Sequence, residues 1–150
     1  MVFLEYEDGT LGQNIEEAVK TVGDILNALK PFAIFFPGKQ DKHRDHKAAH
    51  TIVQKAVQTI NLQPQLYEYV IWRTGLRTDS NRHPVSFDIS EVLPIKRAAM
   101  AEYKSQTTLF TKDQKRPILI KRFLNRFMQP SEVFSIDDKF SRDNRSKIGL

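Results

Sequence analysis

Apolar residues three and four positions apart run through Ile15, Ala18, Val19, Val22, Ile25, Leu26 and Leu29 and predict a helix with one buried face. Asn14 stands where an N-cap belongs, and Glu17 three residues on would complete a capping box. Gly23 weakens such a helix by about 1 kcal/mol relative to alanine, too little to overturn the pattern. Pro31 ends it. The run Phe32-Ala33-Ile34-Phe35-Phe36 follows and reads as an inner strand of a parallel sheet, broken by Pro37-Gly38. A second helical stripe holds Ala48, Ala49, Ile52, Val53, Ala56, Val57 and Ile60. After Asn61 and Pro64, residues 66–72 form a run of strand formers. This order of helix, strand, helix and strand, with short connections, predicts an α/β domain with a parallel sheet.

The rest of the chain is patterned less sharply. Residues 2–6 are a candidate strand end, and Asp8-Gly9 is a turn signal, with Gly12 prolonging the loop. Residues 73–84 are polar and read as an exposed loop, followed by a short strand over 85–89. Ser90 can cap a helix carrying Val92, Ile95, Ala99 and Tyr103, with Pro94 in its first turn. Pro117 opens a further short helix reaching Met128, and residues 132–136 are a candidate last strand. Residues 1–136 are expected to form one domain and 137–150 a polar tail.

Composition narrows the chemistry. With no cysteines, disulfides and thiolate metal sites are excluded, so any metal must take histidine and carboxylate ligands. No apolar stretch approaches the ~20 residues that span a bilayer. The opening residues lack the basic region and apolar core of a signal peptide, so a soluble cytoplasmic protein with no membrane partner is expected. The net charge of +5 raises nucleic-acid binding, but the basic residues are spread out, densest over 112–126 and 142–147, without interleaved aromatics. A solvated basic face is the plainer account, and no nucleic-acid partner is expected.

Three of the four histidines fall within Asp41-Lys42-His43-Arg44-Asp45-His46-Lys47-Ala48-Ala49-His50. The pattern puts them between the carboxyl end of a strand and the start of a helix, where open α/β sheets bind ligands. In His43-Arg44-Asp45-His46, one imidazole can hold a metal while the other, braced by Asp45, donates a proton or stabilises an oxyanion. That chemistry suits hydrolysis of an amide or ester at a metal. Equally, histidines at a helix start can simply be solvated. His46 and His50 have the i, i+4 spacing of a helical zinc pair but lack the intervening glutamate of a metalloprotease. His50 therefore reads as a helix residue near the pocket, His83 as a solvated residue and Asp41 as close by without an evident role.

The stretch 37–50 resembles the LmbE-like, or PIG-L, family of zinc-dependent de-N-acetylases. Other stretches agree in order: 3–11 with the family's Asp-Gly turn, 66–72 with its next core strand, and Phe87-Asp88-Ile89-Ser90 with Lys96, Tyr103, Ser105 and Gln106. Residues 123–134 resemble its closing segment. The resemblance implies a Rossmann-like three-layer fold with a mainly parallel sheet, and hydrolysis of an N-acetyl group from an amino sugar or sugar conjugate. It implies His46 as a zinc ligand, His43 as the catalytic histidine, Asp45 as its orienting carboxylate and Asp8 near the sugar. Arg44 replaces the commoner proline of the motif.

The family's Ala-His-Pro-Asp-Asp-Glu motif, which supplies the other zinc ligands and the general base, does not occur in this sequence. The resemblance therefore implies that the chain lacks the first strands of the sheet and corresponds to the carboxyl-terminal part of such an enzyme. It predicts an exposed sheet edge, little activity alone, and a homo-oligomer or a complementing N-terminal fragment as partner. The competing expectation is a non-catalytic basic module that binds a protein or nucleic-acid partner.

Overall fold

The structure is a computed structural model that describes residues 1–72 and 82–137, apart from the side chains of 82 and 137. The described chain is α/β. Helix α1 (Ile15–Leu29) is followed by strand β1 (Ala33–Pro37), helix α2 (Arg44–Thr59) and strand β2 (Gln65–Tyr69). Strand β3 (Arg82–Asp88), helices α3 (Leu93–Ala101), α4 (Lys104–Thr107) and α5 (Lys121–Leu124), and strand β4 (Ser131–Asp137) complete the order.

The chain divides into two compact units. One runs to Val85 and resumes at Phe134; the other is Ser86–Val133, so both boundaries fall inside strands.

The first unit holds the core. Ala18, Val19 and Leu26 of α1 pack against Ile52, Ala56 and Ile60 of the α2 segment, and all six are buried. These are the predicted stripes, and burying a side chain such as Leu26 or Ile52 contributes about 1.5–3 kcal/mol. Small residues set the helix spacing. A β-carbon at buried Gly23 would lie 3.1 Å from Thr59 Oγ1, so this glycine permits close approach of the two helices. Lys30 closes α1 in the left-handed conformation, at φ 47°, with its N–H donating to Leu26 O.

β1 and β2 pair in parallel, from Ala33 with Gln65 to Pro37 with Tyr69, as the helix–strand order predicts. β4 joins the other side of β2 antiparallel, Glu68 facing Ser135, and the strand order is β1-β2-β4-β3. The sheet is therefore mixed. Ile34 packs on the core and Phe36 stacks on His50 of α2, so even positions of β1 turn toward that helix. On the opposite face Phe35 stacks on Tyr67 at 4.8 Å and meets Phe134 edge-on at 5.0 Å.

Several local expectations change. Residues 2–6 form no strand. Asn14 precedes α1, but its side chain makes no cap hydrogen bond; its Nδ2 donates to Thr10 O at 3.4 Å, so the capping box is not formed. α2 begins at Arg44, ahead of its apolar stripe. β3 begins at Arg82, within the expected loop, and the remainder of that loop lies outside the described residues, as does the expected tail beyond Asp137.

In the second unit, Val92 precedes α3, while the Ser90 N–H and Oγ–H both donate to Asp88 Oδ1, at 2.9 and 2.6 Å. Those two bonds hold the Asp88 carboxyl below its usual range. The helix expected after Pro117 is reduced to the single turn of α5. Lys96 Nζ pairs with Glu132 Oε1 at 2.6 Å in the same unit.

Candidate metal centre

The histidine loop lies where the pattern put it, between β1 and α2. His43 is the N-cap of α2, in extended conformation, and its Nδ1 accepts the Asp45 N–H at 3.3 Å. An N-cap side chain that accepts from the first turn satisfies one of the donors a helix start leaves unpaired. Because Nδ1 accepts, the proton of the neutral ring sits on Nε2, which becomes a donor. Asp45 thus fixes His43 through its backbone.

The Asp45 carboxylate does something else. Its Oδ2 accepts the Gly9 N–H at 2.5 Å, tying the Asp8-Gly9 turn to the start of α2. Gly9 adopts φ 81°, a conformation natural to glycine, and the Arg44 guanidinium lies over it where a β-carbon would stand. Asp45 Oδ1 is buried without a hydrogen-bond partner. One ligand atom each from Asp8, His43 and Asp45 lies within 4.8 Å of the others. The structure therefore brings together three of the four residues singled out from the sequence.

The fourth, His46, is beside them, its ring 4.9 Å from that of His43. His46 sits in the first turn of α2, with Nδ1 3.0 Å from Asp41 Oδ2.

Asp41 is the residue that sequence reasoning left without a role. It is fully buried. Its Oδ1 accepts the His43 N–H at 3.0 Å, and its Oδ2 accepts the N–H groups of Ile71 and Trp72 at 2.9 and 3.2 Å. Burial opposes its ionisation, but the bonds from His43, His46, Ile71 and Trp72 outweigh that and hold its pKa below the usual carboxylate value. One carboxylate so fastens the motif loop to the chain just beyond β2. Its charge, together with burial, also pushes the Tyr69 phenol up, burial being the larger cause.

His50 is buried on α2, stacked on Phe36 at 5.6 Å, with Nδ1 3.4 Å from Glu68 Oε1. His83 is exposed on β3.

The arrangement is a carboxylate–imidazole cluster at the carboxyl end of a parallel strand. It holds an unpartnered buried oxygen, a proton-bearing imidazole nitrogen and a second imidazole oriented from behind by a buried carboxylate. Such a donor set fits a divalent metal that prefers nitrogen and oxygen ligands. Among the described residues, no helix is long and apolar enough to cross a membrane. The later stretches that resemble the de-N-acetylases lie beyond the part of the chain that a family comparison matches. Residues 1–57, which carry Asp8, Asp41, His43, Asp45 and His46, match the family model of PIG-L, GlcNAc-PI de-N-acetylase.

Proposed function

We propose that this cluster is part of a zinc-dependent centre for removing an N-acetyl group from an amino sugar or its conjugate. The observation that carries the reading is the pair of imidazoles His43 and His46 at the start of α2, their rings 4.9 Å apart, with the carboxylates of Asp8 and Asp45 beside His43, within a segment matched by a de-N-acetylase family. His46 is the imidazole ligand, its ring held from the Nδ1 side by Asp41. A carboxylate behind an imidazole fixes the ring and raises its strength as a ligand. Asp45 and Asp8 supply the nearby carboxylates. The chemistry that zinc supplies in such a setting is polarisation of the amide carbonyl and acidification of a water molecule.

The chain's own groups do the rest. His43 presents its Nε2 proton to the carbonyl oxygen as negative charge develops there, then to the departing amine. The Asp45 amide keeps that ring in one orientation and one tautomer, and Asp41 holds the His43 backbone. Asp8, exposed on its turn, accepts a hydrogen bond from a sugar hydroxyl in this reading, which its exposure supports. The general base that the resemblance assigns to Ala-His-Pro-Asp-Asp-Glu has no counterpart in the sequence, so metal binding with little turnover is expected of this chain alone.

The test is zinc content per chain after exhaustive dialysis, paired with deacetylation assays on N-acetylglucosaminyl substrates. Wild type and His43→Ala should retain zinc and His46→Ala should lose it. Equal retention by all three would remove His46 from the metal, and robust turnover by the wild-type chain would show that a base is present elsewhere in it.

A further inference from the structure

We propose that Glu68 is a positioning residue for the metal centre, a buried carboxylate that clamps the two ends of the histidine loop and so sets the place of His46. The inference rests on the proposed function, which supplies what the clamp serves; the clamp itself stands on contacts within the first unit. β2 lies between β1 and β4, so Glu68 occupies the middle of the sheet, opposite buried Ser135 of β4. Glu68 is only 5% exposed, on the same face of β2 as buried Leu66 two positions earlier. A carboxylate at such a position carries a desolvation cost that a second leucine would not, which points to a use beyond packing.

The two oxygens of Glu68 reach the two ends of the loop. Oε1 stands 3.4 Å from Nδ1 of His50, one helical turn beyond His46 on the same face of α2. Oε2 lies against Gly38, so close that a β-carbon there would come within 3.2 Å of it. Gly38 is itself fixed on both sides: its N–H donates to Tyr69 O at 2.7 Å, and its carbonyl accepts the Asp41 N–H at 2.9 Å. Asp41 then stands behind His46, its Oδ2 3.0 Å from Nδ1. Two carboxylate–imidazole contacts thus follow one another on successive turns of α2, Asp41 with His46 and Glu68 with His50, and both carboxylates meet the Gly38 turn. Phe36, stacked on His50 at 5.6 Å, fixes the plane of that ring against the sheet. The i, i+4 spacing of the two histidines accordingly serves one ligand and one anchor rather than a shared metal. Glu68 touches neither metal nor substrate; it acts on His46 through Gly38 and Asp41 at one end of the loop and through His50 and α2 at the other.

The experiment uses the intact chain, first metal-free and then titrated with zinc. Glu68→Gln should shift the imidazole nitrogen resonances of His46 in the metal-free chain and weaken zinc binding about tenfold, read by competition with a chromogenic chelator. Glu68→Leu/His50→Phe replaces the pair by apolar side chains, so it should unfold at the same urea concentration as wild type or a higher one and yet bind zinc as weakly as Glu68→Gln. Ile60→Val, a change in the buried core, controls for mere loss of stability and should leave both readouts where they are in wild type. Unmoved His46 resonances in Glu68→Gln, or wild-type zinc affinity in either Glu68 variant, would overturn the proposal; if the double variant does not fold, Glu68→Gln alone decides. A wild-type chain that holds no zinc would overturn the reading of the centre instead, and the His46 resonances would then decide the clamp.

Discussion

His46 Nδ1 stands 3.0 Å from Asp41 Oδ2, and the carboxylate between that ring and the chain beyond β2 has no exposure to solvent. A charge so placed is tolerated because three backbone N–H groups and an imidazole surround it.

Asp41→Asn should therefore destabilise the fold by about 3 kcal/mol, since an amide nitrogen replaces an oxygen facing buried donors. The loss should depend on pH. The folded-state pKa of Asp41 is lowered, so its contribution is complete above the unfolded carboxylate value of about 3.9 and disappears as pH falls through the lower folded one. Urea titrations between pH 7 and pH 2 should show a shallower acid limb for the variant. Parallel curves would exclude Asp41 as a source of acid sensitivity.

The same substitution should weaken zinc binding about 10- to 100-fold, the usual effect of removing a carboxylate behind a ligating imidazole. Competition with a chromogenic chelator reads this directly. Exposed His83→Ala serves as the control and should leave affinity unchanged.

At the Asp8-Gly9 turn, Gly9→Ala should cost about 2 kcal/mol or more, because φ 81° is strained for alanine and its methyl meets the Arg44 guanidinium. In an Arg44→Ala background the cost should fall to about 1 kcal/mol, the backbone part alone. A double-mutant cycle measures the difference, and strict additivity would show that Arg44 does not press on this turn.

Lys30→Gly should stabilise the protein by about 0.5–1 kcal/mol. Lys30 ends α1 at φ 47°, where a side chain costs energy and glycine does not. Thermal unfolding should shift upward by roughly 2 °C for a chain of this size; a downward shift would mean that the lysine stem contributes packing that its exposure conceals.

The helices of the core and the two parallel strands were legible because each buries a repeating face, and repetition survives in a sequence. Single hydrogen bonds are less legible. α2 starts at Arg44 because His43 caps it through Nδ1, a use of histidine that cap preferences do not flag. Asn14 carries the preferred residue type but turns its side chain back to Thr10. Asp41 owes its role to donors 30 and 31 positions further on, which no local window joins to it. Asp45 looked like the orienting carboxylate for His43; its amide does the orienting while its carboxylate holds Gly9.

The Gly9–Asp45 bond joins positions 36 residues apart, with α1 and β1 in the loop it closes. Loop-closure entropy opposes that bond until α1 has docked on α2. The cluster is thus a late product of folding, and metal present during refolding should slow unfolding more than it speeds folding. A nick in the 30–32 connection that let α1 drift would leave every side chain of the histidine motif in place along the chain and still dismantle the cluster.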